Sequence, residues 1–303
     1  MRILLTGGTG QLGWELRRTL APRGEISAPG RDLLDLRDPD AIRDAVRKVQ
    51  PDLVVNAAAY NDVDRAEAET EGAFAVNAEA PHLLAREAGR AGAALIHYST
   101  DYVFRGDRDE PYPEDAEPDP VNAYGRSKRQ GELAVLDAGV PCLVFRLSWV
   151  YGPRRTNFVN TMLRLFRDRK TLRVVDDQWG SPTWCRTAAE VTAQVLASIS
   201  AEHRELAGGI RERGGLYHLA ARGRVSRHEQ ARAIQRHAHR LRPEAGYDRC
   251  AIQAIPTSEY PTEAARPRST PLSSSRLEQS FGLSLPGWEE ELVRCLEDRF
   301  QGD

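Results

Sequence analysis

The sequence predicts a doubly wound parallel α/β sheet with a smaller C-terminal lobe. Three observations predict it. Short apolar runs alternate with helix-patterned stretches through the first half of the chain. A cluster of glycines follows the first apolar run. The alternation ends after Trp149, where the pattern becomes irregular. Strands separated by helices pair in parallel, and the helices cover both faces of the sheet.

The elements follow in order. "RILLTGG" reads as a buried strand and "GQLGWELRRTLA" as the helix after it. "EISAP" is a weaker second strand. "DPDAIRDAVRKVQ" is a helix that opens on acidic residues, which suit a helix N-terminus, and stops before Pro51. "DLVVNAAA" is a third strand, "TEGAFAVNAEAPHLLAREAGRAG" a long helix and "AALIHYST" the next strand. "NAYGRSKRQGELAVLDAG" is helical and "PCLVFRLSWV" is again a strand. Beyond it come a loop and helix, a strand-like "LRVVDD", the amphipathic helix "TAAEVTAQVLASIS" and the strand "GLYHLAA". "SRHEQARAIQRHAHRLR" reads as a polar surface helix. "IPTSEYPTEAARPRSTPLSSSRL" reads as an irregular segment on the surface, and a helix near "GWEEELVRCLEDRF" closes the chain, with "WEEEL" and "RERGG" as solvated charge runs.

The 303 residues suffice for one two-lobed unit. A net charge of -2 gives no electrostatic reason to expect nucleic acid or a membrane surface as partner. No apolar run approaches a bilayer span. The N-terminus enters "MRILLTGGTG" directly, without a signal-peptide apolar core and cleavage site, so a cytoplasmic protein is expected. Cys142, Cys185, Cys250 and Cys295 are far apart, which argues against zinc or a disulfide framework.

"TGGTGQLG" sets Gly7, Gly10 and Gly13 between the first strand and first helix. Glycines allow a tight turn and close approach of a pyrophosphate, and the helix N-terminus offers free N–H groups. Inside a strand–helix–strand unit this favours dinucleotide binding over a bare turn, and makes the sheet Rossmann-type. Near the end of the second strand, Arg31 stands about where the ribose-reading residue belongs, with Asp32 beside it. A guanidinium there favours a 2′-phosphate, hence NADPH, with NADH left open. Asp35 and Leu36 are expected to neighbour the adenine ring.

Tyr124 and Lys128 are four apart in "NAYGRSK" and share a helix face. An ammonium beside a phenol is expected to lower the phenol's pKa and make it a proton donor or acceptor. The lysine is notable because the chain has only three, Lys48, Lys128 and Lys170, among 42 basic residues. "HYSTDYVF" supplies Thr100, a hydroxyl at a strand end able to hydrogen-bond a carbonyl oxygen.

With the glycine turn, the threonine and the tyrosine–lysine pair in this order, the sequence resembles the extended short-chain dehydrogenase/reductase family. The matching stretches include "TGGTGQLGWEL", "PDLVVNAAAYNDVDRAE", "IHYSTDYVFRG", "NAYGRSKRQGE", "VVDDQWGSPT" and "ARPRSTPLSSSRL". The later ones point to the branch that reduces dTDP-linked 4-keto-6-deoxy sugars, with dTDP-4-dehydro-L-rhamnose the implied substrate. The resemblance implies that NADPH gives a hydride to C4 and Tyr124 the proton. It implies that Lys128 holds the nicotinamide ribose and Thr100 the carbonyl. It further implies that Gly10, Gln11 and Leu12 line the pyrophosphate, and that Ala59, Tyr60, Asn61 and Tyr98 border the cofactor. Asp101, Tyr102 and Trp149 would contact the sugar nucleotide, and Gln178 with the "GSPT" turn would belong to its lobe. A reductase of another nucleotide-linked sugar, or a non-catalytic regulatory subunit of the same fold, is the alternative.

Residues 1–150 would form the cofactor domain, completed by helices from about 184–200 and 226–242, and 151–303 mainly the substrate lobe. Some relatives hold Mg²⁺ at a dimer interface through a carboxylate three residues after "PT". This chain has Arg186 there, and Gly287 precedes Trp288 where an Asp is expected. A cation cannot replace a hard oxygen ligand. A monomer or weak homodimer without bridging metal is therefore expected.

Overall fold

The structure, a computed structural model, describes residues 1–301. A central sheet of six parallel strands runs in the order β2-β1-β3-β4-β5-β8. Its members are β1 (Arg2–Thr6), β2 (Glu25–Ser27), β3 (Leu53–Asn56), β4 (Ala94–Thr100), β5 (Cys142–Leu147) and β8 (Gly215–His218). The inner strands β3, β4 and β5 are buried along their whole length, as two helix layers require. The chain moves from β1 outward to β2 and then back across to β3. The switch point of the sheet therefore lies beside β1, where open α/β sheets place their ligand crevice.

Helices α1 (Gln11–Leu20), α2 (Pro39–Val49), α3 (Arg65–Ala68), α4 (Thr70–Phe74), α5 (Ala80–Ala91) and α6 (Ala123–Leu136) connect the first five strands. Asp38 caps α2 by accepting from the N–H groups of Asp40 and Ala41, which fixes its start before the Pro39 first turn. A π-helical turn, Ala75–Glu79, bridges α4 and α5, so the long helix read from the sequence is widened in its middle. Wide turns of this kind aim side chains that a regular helix would not.

The second half adds α7 (Phe158–Asp168), α8 (Cys185–Glu202), α9 (Leu206–Arg213), α10 (Arg227–Leu241), α11 (Ser275–Phe281) and α12 (Trp288–Gln301). Two small sheets accompany them. β6 (Thr171–Val175) pairs in parallel with β10 (Ala251–Ile255), and β7 (Trp179–Gly180) pairs antiparallel with β9 (Val225–Ser226). Helix α8 lies on α1, and one large apolar core joins the sheet to α8, α10 and α12.

Three sequence expectations change. Helix α10 is not only a surface helix: Ala231, Ala233, Ile234 and Ala238 are buried, and small alanines among Arg and His hid that stripe. The segment from Pro256 to Ser274 is irregular but partly interior, with Ala264, Ser269, Thr270 and Leu272 buried. In "WEEEL" the carboxylate of Glu291 is 1 % exposed and accepts the backbone N–H of Trp184 at 2.8 Å. Arg186 forms a two-pronged pair with Asp298 (3.0 and 2.8 Å) and reaches Glu15 at 3.4 Å. Among the described residues no cluster of His, Cys, Asp or Glu is placed to hold a metal ion, and no helix is long and apolar enough to cross a membrane.

Candidate active site

A cleft of about 730 Å³ opens at the C-terminal ends of β1, β3, β4 and β5. Its floor is the glycine turn. Gly7 has φ +69°, and a Cβ there would meet the Ala57 backbone at 2.7 Å. A Cβ on Gly13 would lie 2.0 Å from the Gly7 carbonyl oxygen, so only glycine lets α1 start this close to β1. Gly10 is the residue before α1, and no side chain caps the helix. Its first-turn N–H groups therefore face the cleft without a side-chain acceptor. From the opposite lobe, Asn157 donates to the Gln11 side chain at 2.8 Å, and Arg155 donates to the Thr9 carbonyl at 2.9 and 3.1 Å.

At the outer end, Arg31 lies 3.7 Å from Asp35 and is largely exposed. The closer partner of Asp35 is Arg37, whose hydrogen bonds hold that carboxyl down at about 2. Asn77, on the π-helical turn, accepts the Tyr60 N–H at 2.8 Å and donates to the Tyr60 carbonyl at 2.9 Å. It thereby fixes the strand-end segment Ala59, Tyr60 and Asn61 along the cleft wall.

The catalytic candidates meet deeper in. Asn122 caps α6 by accepting the Gly125 N–H at 2.8 Å, so the helix starts where Tyr124 and Lys128 both turn to the end of β4. Lys128 is 2 % exposed and its Nζ donates to the Tyr98 carbonyl at 2.6 Å. Burial lowers it to about 8, although Glu132 one turn on opposes the shift. Glu132 itself is committed to a buried two-pronged pair with Arg146 (2.8 and 2.8 Å), which ties α6 to β5.

Tyr124 keeps part of its surface open to the cleft, and its ring lies beside Thr100. Its pKa is raised, not lowered as the sequence led us to expect. Burial penalises the phenolate, and the ammonium of Lys128 is turned to the Tyr98 carbonyl. The Tyr98 hydroxyl in turn bonds Thr192 on α8 at 2.8 Å. Asp101 lines the cleft, yet its carboxylate is taken by the hydroxyls of Thr100, Ser148 and Thr270.

Trp149 sits at φ +44°, a strained value for a large side chain, with its indole against Gly180 and the guanidinium of Arg227 at 3.4 Å from the ring centroid. Arg227, the first residue of α10, also faces Phe158 at 4.9 Å and donates to the Gln230 side chain at 3.3 Å. Among the described residues it has no carboxylate within ion-pair distance.

The catalytic, cofactor and substrate candidates named from the sequence line this cleft except Gly13, which packs behind the turn, and Gln178 with the "GSPT" turn. Arg37, Asn77, Asn157 and Arg227 were not picked. Arg37 had a signal, a second arginine flanking Asp35. The others had none that hydrophobic patterning could register. Gln178 lies outside the cleft lining and donates to Thr257 at 3.1 Å.

Residues 1–300 match the family described as RmlD substrate binding domain. The chain belongs to that family. Among curated members similar to it, the dTDP-4-dehydrorhamnose reductase of Burkholderia thailandensis is 44% identical, with 98% of this chain and 99% of the relative covered. The spore coat polysaccharide biosynthesis protein SpsK of Bacillus subtilis is 36% identical over 98% of each chain. A crystal structure of dTDP-4-dehydrorhamnose reductase from Bacillus anthracis in complex with NADP superposes with a TM-score of 0.87 at 32% identity. That match covers 98% of this chain and 99% of the other. The RmlD-type chain is thus aligned over 98% of its length with these relatives.

Proposed function

We propose that this protein is an NADPH-dependent reductase of dTDP-4-dehydro-β-L-rhamnose, yielding dTDP-L-rhamnose in the biosynthesis of that nucleotide sugar. The observation that carries the reading is the convergence of Thr100, Tyr124 and Lys128 beside an uncapped helix N-terminus, in a chain similar end to end to reductases of that substrate.

The cleft fits a dinucleotide. Gly7 and Gly10 let the turn pack tightly beneath the cleft, and the first turn of α1 offers N–H groups and a positive dipole end to a diphosphate. Arg31 and Arg37 give the outer end a net positive charge around Asp35, suited to a 2′-phosphate. NADPH, when bound, supplies the hydride for C4 of the sugar.

The chain's own residues supply the rest. Tyr124 gives its proton to the oxygen at C4 as the carbonyl becomes an alcohol. Burial keeps that phenol protonated, which suits a donor. Lys128 would hold the nicotinamide ribose, a task for a compact ammonium rather than a planar fork. Thr100 hydrogen-bonds the carbonyl. Trp149 and Arg227 would meet the sugar nucleotide. Arg227, partly buried and without a carboxylate in ion-pair distance among the described residues, offers a positive charge to the substrate diphosphate.

The test is NADPH oxidation, followed by its absorbance, with dTDP-4-dehydro-L-rhamnose as substrate and NADH run alongside. Turnover that Tyr124→Phe lowers roughly 100-fold or more, with NADPH affinity retained, is the expected result. Folded protein that binds NADPH but leaves this substrate untouched would overturn the reading.

A further inference from the structure

The carboxylate of Asp101 is 2 % exposed and enclosed by hydroxyl groups. Thr100 donates to its Oδ1 at 3.2 Å. Ser148 and Thr270 donate to its Oδ2 at 3.0 and 2.6 Å. The donors come from the end of β4, the residue after β5 and the C-terminal segment that threads inward. Thr100 and Tyr124 both line the cleft beside it.

A threonine hydroxyl has one proton to donate, and an ionised carboxylate only accepts. While Asp101 is ionised, the Thr100 proton is committed to Oδ1. Thr100 can then face Tyr124 or a substrate only as an acceptor. A keto oxygen also only accepts. In this arrangement Thr100 has nothing to give to the carbonyl.

We propose that Asp101 is a positioning residue that sets the direction of the Thr100 hydroxyl, its protonated form releasing the Thr100 proton to the C4 carbonyl and its ionised form withdrawing it. The inference rests on the reductase reading above. Asp101 forms no bond to carbon, and its proton serves only to free a neighbour's. The titratable groups that face it are Arg227 on α10, Tyr102 in the turn after β4 and Tyr124 on α6. Ser148 and Thr270 contribute hydroxyls that do not titrate. Burial raises the Asp101 carboxyl to about 6, against the Thr270 and Ser148 hydrogen bonds, the Arg227 charge and the Thr100 hydrogen bond. The device therefore operates within an accessible range.

The pH dependence of kcat tests it, with full-length protein, NADPH and dTDP-4-dehydro-L-rhamnose, for the parent, Asp101→Asn and Thr270→Val. In the parent, kcat should fall as pH rises through a limb at or above pH 6, because bound substrate further disfavours the charged form. Asp101→Asn should lack the limb. Thr270→Val keeps the carboxyl but removes one donor to its ionised form, so the limb should move up by about one pH unit. A side chain that only packs, or only touches sugar, would change kcat or KM without moving a limb. Persistence of the limb in Asp101→Asn overturns the proposal. So does a limb that Thr270→Val leaves in place or moves down, and that shift decides alone where Asp101→Asn fails to fold. A parent that binds NADPH but does not turn over sinks the reductase reading and this inference together. A parent that turns over with an unmoved limb sinks this inference only.

Discussion

The ammonium nitrogen of Lys128 lies 2.6 Å from the backbone carbonyl oxygen of Tyr98, enclosed by protein. Its charge is held in the interior by one carbonyl dipole and, a helical turn away, by Glu132. That arrangement is poor for stability and good for an activity that needs a compact cation at a strand end.

The pH dependence follows with a definite sign. The folded-state pKa of Lys128, about 8, lies below its ordinary 10.5. Between those values the unfolded chain binds more protons, so this residue's destabilising effect is full below about 8 and fades as pH rises toward 10.5. Lys128→Met should raise the melting temperature at neutral pH by several degrees, roughly 2–4 °C per kcal/mol for larger domains, while abolishing turnover. Lys128→Arg should stay folded and lose most activity, because a planar fork does not fit a site built for an ammonium. Thermal melts at neutral and alkaline pH check both; a Met variant no more stable than the parent at neutral pH would refute the account.

Arg227 stacks on Trp149 and has no carboxylate partner among the described residues. Arg227→Gln should weaken dTDP binding by roughly ten- to a hundred-fold, the range for a lost charge-assisted hydrogen bond, and leave NADPH binding unchanged. Titration calorimetry with each ligand separates the two. An effect on NADPH alone would assign this guanidinium to the cofactor instead.

Gly13 and Gly10 differ in what a methyl group would meet. At Gly13 it would sit 2.0 Å from the Gly7 carbonyl oxygen, at Gly10 3.2 Å. Gly13→Ala must push α1 away from β1 and should be destabilised by about 1–3 kcal/mol, as overpacked sites are, with NADPH binding lost. Gly10→Ala should be the milder variant for stability. Chemical denaturation of the pair tests that order.

Glu291 is a buried acid raised to about 7 from 4.5 by burial, with the Trp184 N–H as its main opposing contact. The folded state binds the extra proton between those values, so this group's contribution declines as pH rises from 4.5 to 7 and stays low above. Glu291→Gln should remove that decline and make the protein relatively more stable at pH 8 than at pH 5, compared with the parent. Melting curves at the two pH values give the answer, and equal differences at both would contradict it.

The parallel sheet was legible because most of its strands are short, mainly apolar runs between helix-patterned stretches, such as "RILLT" and "CLVFRL". The glycine turn and the tyrosine–lysine pair were legible because spacing alone puts them on one turn and one helix face. Thr270 was not, because its burial rests on a hydrogen bond to Asp101, and hydrophobic patterning does not register buried hydroxyls. Arg227 was hidden in a helix whose buried face is mostly alanine. Asn77 reaches Tyr60 from a π-helical turn that breaks the period a sequence reader counts. The shift at Tyr124 was misjudged for a further reason. A sequence shows which charges are near, whereas the sign here is decided by how much water is removed.

The return of the chain to its own sheet at β8 has a consequence for the order in which the protein is made. Leu143 of β5 finds its outer partner in Gly215, and α1 finds its main cover in α8. A ribosome delivers the glycine turn before β8 and α8. The edge of β5 and the outer face of α1 then stay bare until most of the chain has emerged. Pairings this distant close slowly and leave apolar surface open meanwhile. The cleft is thus walled by residues far apart along the chain, from the Gly7 turn to Arg227.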